Sequence, residues 1–183
     1  PIATEIIRLT IKPVSLSKLQ EAYERVEKSA KNKILALYST HCRECKAELS
    51  FDCAIWKDGE CLEIRYGSCP HCANRKIKNN PLTNHDKQLL KTIEKHKIKE
   101  WYPKNPLYHI NGNPFKEKHG NPFMKKEHSE SLDELFTKRN LYALAILMNA
   151  IEHESNRQLR DFLKIGFTSM VHLCSRMTPV RPS

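Results

Sequence analysis

The apolar residues of this chain change period several times, and each change marks an element. Ile2, Ile6, Ile7 and Leu9 follow a proline at the favoured first helical position and stop before Pro13, which predicts a helix over residues 2–11. Ser15 or Ser17 is placed to cap a second helix to about Lys31, with Leu19, Tyr23 and Val26 on one face. Ile34 to Tyr38 reads as a short strand. Two further strand-like runs, residues 51–56 and 61–66, flank Lys57-Asp58-Gly59-Glu60, in which Asp58-Gly59 is a tight hairpin signal. Thr83-x-x-Asp86 is a capping box for a helix through roughly His96 with Leu89, Leu90 and Ile93 inward, ended by Trp101-Tyr102-Pro103.

From Lys104 to Glu130 the period is lost, and Asn-Pro-Phe, at 113–115 and 121–123, reads as turns in an irregular connection. Ser131-x-x-Glu134 is a second capping box, opening an apolar helix through Leu132, Leu135, Phe136, Leu141, Leu144 and on to Ile151. Asn156 starts another, carrying Leu159, Phe162, Leu163, Phe167 and Val171 until Pro179 stops it. The two together predict a helical hairpin.

Composition narrows the class. Of 183 residues 39% are hydrophobic and 28% charged, enough for a packed core and against wholesale disorder. No apolar run approaches the roughly 18 to 20 residues of a membrane span, and no signal-peptide succession opens the chain, so a soluble cytoplasmic protein is expected. The chain opens on Pro1 rather than Met and ends on Arg181-Pro182-Ser183, which reads as a segment of a longer protein. Lys and Arg outnumber Asp and Glu by 31 to 21, a net charge of +10 that favours polyanion partners.

The cysteines carry the sharpest signal. Cys42 and Cys45 form one C-x-x-C and Cys69 and Cys72 a second, with 23 residues between the pairs, the spacing of a zinc ribbon. Each C-x-x-C turn folds two thiolates toward one point, and two turns complete a tetrahedral set with zinc to sulfur bonds of about 2.3 Å. Four thiolates leave no open position, so the site is expected to be structural, with the metal supplying folding energy. A thioredoxin-type role would need one C-x-x-C opening a helix after a strand, whereas Pro70 and His71 sit inside a pair that already has a partner. His41 and His71 read as flanking residues, and Cys53, Cys61 and Cys174 as small packing groups.

Several pieces together resemble the prokaryotic DNA N4-cytosine/N6-adenine methyltransferases that carry a cysteine-rich insertion. They are Leu135-Phe136-Thr137-Lys138-Arg139-Asn140-Leu141, followed by Phe167-Thr168-Ser169 and Ser175-Arg176-Met177, with the cysteine pairs upstream. Pro1-Ile2-Ala3 looks like the continuation of the Asp-x-Asn-Pro segment that ends the second strand of the S-adenosylmethionine-binding half. The chain departs from the family in lacking its catalytic signatures. Its glycines, Gly59, Gly67, Gly112, Gly120 and Gly166, are never closely paired, so no Phe-x-Gly-x-Gly cofactor loop can be drawn, and the two Asn-Pro-Phe triplets lack the second proline of the Asp/Asn-Pro-Pro-Tyr/Phe motif.

The resemblance therefore implies an internal fragment of a larger Rossmann-like enzyme, lying between the cofactor-binding motifs and the catalytic motif. The S-adenosylmethionine would be bound mainly outside it, and the fragment alone would be inactive. The fold class expected is α+β, a zinc-ribbon hairpin module flanked by helices. Residues 1–37 form a helical segment following the cofactor-binding half, 38–78 the ribbon, 79–130 a basic helix and linker, and 131–183 the helical hairpin. The implied partners are double-stranded DNA and the remainder of the methyltransferase chain. A base inside a duplex must be flipped out to be modified, and segments outside the catalytic sheet grip the backbone meanwhile. The candidates are Arg65, Arg75, Lys76 and Lys78 on and after the ribbon, and Lys138 and Arg139 at the start of the long helix, as phosphate contacts. Two rivals are a freestanding zinc-ribbon module that recruits nucleic acid or protein without chemistry, and a scaffold whose apolar helices bind a partner.

Overall fold

The computed structural model describes residues 2–57, 60–72, 81–108 and 131–176. Helices α1 (Ile2–Ile11) and α2 (Leu16–Leu37) lead into two antiparallel hairpins, β1 (Ser39–His41) with β2 (Glu48–Ser50) and β3 (Cys53–Lys57) with β4 (Glu60–Arg65). Helices α3 (Asn84–Lys95), α4 (Lys138–Glu152) and α5 (Arg157–Val171) follow. This mixture of helices and small hairpins agrees with an α+β class. No described helix is long and apolar enough to cross a membrane.

Helix α4 is the centre of the helical half. Its buried positions, among them Leu141, Ala143, Leu144, Ala145, Ile146, Ala150 and Ile151, run round most of its circumference, as expected of a helix covered on several sides. It packs against α2, α3 and α5. Helix α2 meets it with a single stripe, Ala22, Val26, Ala30 and Leu37, joined by the half-buried Ile34. The alanines on both helices let the two backbones approach closely.

That stripe corrects two expectations. The helix does not stop near Lys31: Ile34 and Leu37 extend the spacing of Val26 and Ala30, and burying them on α4 keeps residues 34–37 helical instead of forming a strand. Tyr23, expected on the inner face, points outward and is 52% exposed.

The start of α4 is a third correction. Ser131-x-x-Glu134 does not cap it, because Ser131 bridges to Pro106 and the Leu132 N–H donates to the Asn105 carbonyl, which holds this stretch beside the 101–108 segment. Residues Asp133–Leu135 form one 3-10 turn, Phe136 is extended, and the cap is Thr137, whose hydroxyl accepts the Asn140 N–H. By contrast, the Thr83 and Asp86 box caps α3 as expected, and Asn156 caps α5 by accepting from the Gln158 and Leu159 N–H groups.

The strand runs are recovered with small shifts: β3 begins at Cys53, not Phe51, and a register irregularity lies between Ile55 and Trp56. Lys57 pairs with Glu60, and the Asp58-Gly59 hairpin signal between them lies outside the described residues, as do both Asn-Pro-Phe triplets. The core of the hairpins is the cluster Phe51, Ile64 and Tyr66, with Tyr38, Leu49, Ala54, Cys61 and Leu82 packed round it.

Candidate metal centre

The β1–β2 hairpin, which the sequence pattern did not single out, presents the first cysteine pair. Its closing pair is His41 with Glu48, and the turn between them carries Cys42 and Cys45. The Cys42 N–H donates to the Ala47 carbonyl at 2.9 Å, and the Lys46 N–H to the Cys42 carbonyl at 3.1 Å. Closing so tight a turn puts Lys46 at φ 62°, a left-handed conformation that side chains other than glycine seldom adopt. The second pair lies just beyond β4, where the His71 N–H points at Cys69 Sγ at 3.4 Å.

None of the seven cysteines is in a disulfide, and four of them converge. The sulfurs of Cys42, Cys45, Cys69 and Cys72 all lie within 4.8 Å of one another. Cys42 to Cys72 is 3.7 Å and Cys45 to Cys69 is 3.6 Å. In a tetrahedron with metal to sulfur bonds of about 2.3 Å the sulfurs stand about 3.8 Å apart, so the set fits a zinc-sized ion with little adjustment. Four soft thiolate donors favour zinc among common ions and complete its shell.

Electrostatics point the same way. The Cys45 N–H, aimed at Cys42, pulls the Cys42 thiol down to about 6. At Cys45 the Ala47 N–H also favours the thiolate, but burial and the hydrogen bonds to Cys69 and Cys42 outweigh it and the thiol stands above its ordinary value. Without a cation the Cys42 thiolate forms readily while Cys45 holds its proton more tightly than usual. A divalent ion displaces thiol protons on binding and closes the set.

The supporting residues come from three elements. The Tyr66 hydroxyl, buried beneath the first turn, accepts the Arg43 N–H at 3.0 Å. Arg43 reaches outward to the Pro81 carbonyl and, at 3.5 Å, to Asp86. Buried Asp86 accepts from the Thr40 hydroxyl of β1 at 2.7 Å and from the Thr83 N–H and hydroxyl at 2.7 and 2.6 Å. It thus ties α3 to the cysteine turn. Thr83-x-x-Asp86 was legible only as a helix cap, and its second role depends on Thr40, 46 positions away, with no local signal. His41 stacks edge-on against His85 beside the centre and supplies no ligand to the four-sulfur set.

The residues expected to contact phosphate fare differently. Arg65 sits on β4 in a 2.6 Å ion pair with Glu63, and Lys138, half-buried, donates to the Glu94 carbonyl. Arg75, Lys76 and Lys78 lie outside the described residues. Arg139 is not on the surface: it is 4% exposed, its guanidinium 4.6 Å from the Phe51 ring centre and 5.7 Å from that of Tyr38. Its position one residue after Lys138 on a helix whose buried face wraps most of the way round turns it inward.

Arg139 joins the ribbon to the helices. Tyr38, at the end of α2, meets Phe51 edge-on at 5.4 Å and donates its hydroxyl to Asn140 at 2.8 Å. Burial pushes the Tyr38 phenol up to about 12 although Arg139 pulls the other way. Cys61 packs into this cluster and its thiol is raised by burial, as is that of half-buried Cys174. Arg139 Nε and Nη1 are buried without a hydrogen-bond partner. Each orphan donor costs about 1–3 kcal/mol, against about 2 kcal/mol for a desolvated cation over a ring. Arg139→Met, which keeps soft contacts with both rings, is therefore expected to raise stability by about 1 kcal/mol in chemical denaturation. A loss of 1 kcal/mol or more would show that the cation outweighs its unpaired donors.

No family model, curated protein or solved structure matches this chain.

Proposed function

We propose that this chain is an internal segment of an S-adenosylmethionine-dependent DNA methyltransferase acting on adenine N6 or cytosine N4, in which a structural zinc ribbon helps grip the duplex. The observation that carries the ribbon is the convergence of four sulfurs at distances that match a tetrahedral ion. The net charge of +10 supports a polyanion partner. The resemblance in Phe136-Thr137-Lys138-Arg139-Asn140 supports the family, and four of its residues have definite work: Thr137 caps α4, Arg139 and Asn140 hold Tyr38, and Lys138 ties α4 to α3.

Gly67 and Gly166, the described glycines, stand far apart, one after β4 and one on α5, so the described residues offer no glycine-rich loop to cradle S-adenosylmethionine. Cofactor and chemistry are assigned to other parts of the parent enzyme, and this segment to the backbone grip.

The test is a fluorescence anisotropy titration of a short labelled duplex with zinc-loaded and metal-stripped chain at several salt concentrations. Zinc-dependent binding should weaken with salt at a logarithmic slope of about 0.9 for each phosphate contacted. A zinc-loaded, folded chain that leaves the duplex free at low salt would overturn the DNA grip and leave the ribbon as a brace.

A further inference from the structure

On the side of α4 away from the ribbon lies a cavity of about 580 Å³. Its floor is the α4 stripe Leu141, Leu144, Ala145 and Met148, one helical face. Its far wall is α5, with Ile165 and Thr168 among the lining residues, and the Trp101-Tyr102-Pro103 segment and Arg8 of α1 close two further sides. Sequence patterning marked these helices as core, yet α5 buries only Leu159 fully, and the Trp101 side chain at the rim is 69% exposed.

The polar residues of the cavity are few and mostly paired. Arg8 holds Asp161 at 2.6 Å, and Lys164 holds Glu152 at 2.6 Å. Arg157, exposed in the first turn of α5, makes no ion pair among the described residues and brings a positive charge to the rim.

From these observations we infer that the cavity is a binding site for a small amphipathic anion, an apolar body of fatty-acyl size ending in one carboxylate. The volume lies within the range of small-molecule sites, which are mostly apolar with a few polar groups that fix orientation. Leu144, Met148 and Ile165 would take the apolar body, Trp101 would cover it, and the Arg157 guanidinium would meet the carboxylate. Walls from four separate elements favour a compact ligand over a partner helix, which needs an open-ended groove. The inference goes beyond the nucleic-acid reading and does not depend on it.

Trp101 is itself the reporter, because the chain has only two tryptophans and the other, Trp56, lies on the ribbon. In a Trp56→Phe background, dodecanoate should change the Trp101 emission saturably. Arg157→Glu should weaken dodecanoate about tenfold and leave dodecanol unaffected, and Thr168→Phe, which fills the cavity from its exposed side, should weaken both. The same titration followed by methyl shifts of Leu144, Met148 and Ile165 in the unsubstituted chain guards against a folding defect in the variants. Three outcomes would overturn the site: no saturable change in either readout, equal weakening of acid and alcohol by Arg157→Glu, or shifts caused by an acidic amphipathic peptide but not by dodecanoate.

Discussion

Replacing Cys69 by serine is expected to unfold the ribbon while leaving the helices standing. The buried residues of the ribbon are few: Phe51, Ile64 and Tyr66, with Thr40 and the cysteines Cys42 and Cys69. So small a core does not hold two short hairpins by itself, whereas a structural zinc supplies about 10–16 kcal/mol of apparent binding energy in comparable small domains. The helical core has eight buried residues of its own, drawn from α2, α3 and α4, and none of them lies on the ribbon. Native mass spectrometry should find one zinc on the natural chain and none on Cys69→Ser. Amide signals of residues 39–66 should collapse while most of the far-UV helical signal persists. A dispersed ribbon spectrum in the metal-free variant would sink the structural assignment.

The difference in what the sequence revealed follows from the range of the interactions. Caps at Thr83 and Asn156, and the cysteine pairs, are short-range patterns whose chemistry is complete within a few residues. Where a distant partner decides, local pattern misleads. Ile34 to Leu37 is apolar enough for a strand, and the α4 surface makes it helix. Ser131 has the right cap chemistry, and pairing with Pro106 uses that backbone otherwise. Arg139 reads as a surface cation because charge is all the sequence displays; the rings of Tyr38 and Phe51, about a hundred positions earlier, bring it inside.

These long-range contacts converge where ribbon meets helices, which bears on how a metal-dependent ribbon would influence the nucleic-acid grip we propose. Tyr38 belongs to the end of α2, Phe51 to the ribbon, and Arg139 with Asn140 to α4, so loss of the ribbon removes one ring from the guanidinium and the edge-on neighbour of the Tyr38 ring, while the Tyr38 hydroxyl stays held by Asn140. The metal centre and the first turn of α4, which carries Lys138, are connected through packed groups.

The second such link, Asp86, should show the largest effect of any substitution outside the cysteines. Asp86→Ala removes the acceptor of the Thr40 and Thr83 hydrogen bonds and the partner of Arg43, and leaves the Thr40 hydroxyl, itself fully buried, unpaired. Truncating one member of a buried charged network of this kind costs about 3–5 kcal/mol, and the loss should appear at β1 and the start of α3 together, weakening zinc binding as well. The pH dependence carries a distinct sign. Burial alone would raise the Asp86 carboxyl, but the Thr83 hydroxyl and N–H, the Thr40 hydroxyl and Arg43 together hold it below its ordinary 3.8. A carboxylate whose folded pKa is depressed contributes stability that is fully present above its unfolded value and is lost as pH falls through the folded one. The stability difference between the natural chain and Asp86→Asn should therefore be constant above about pH 5 and shrink below the ordinary carboxylate value. Acid also strips thiolate-bound zinc, but it does so in both proteins, so the difference isolates the carboxylate. Paired denaturation curves over that range decide the matter, and a difference that grows on acidification would mean that Asp86 is not the charged hub joining α3 to the cysteine turn.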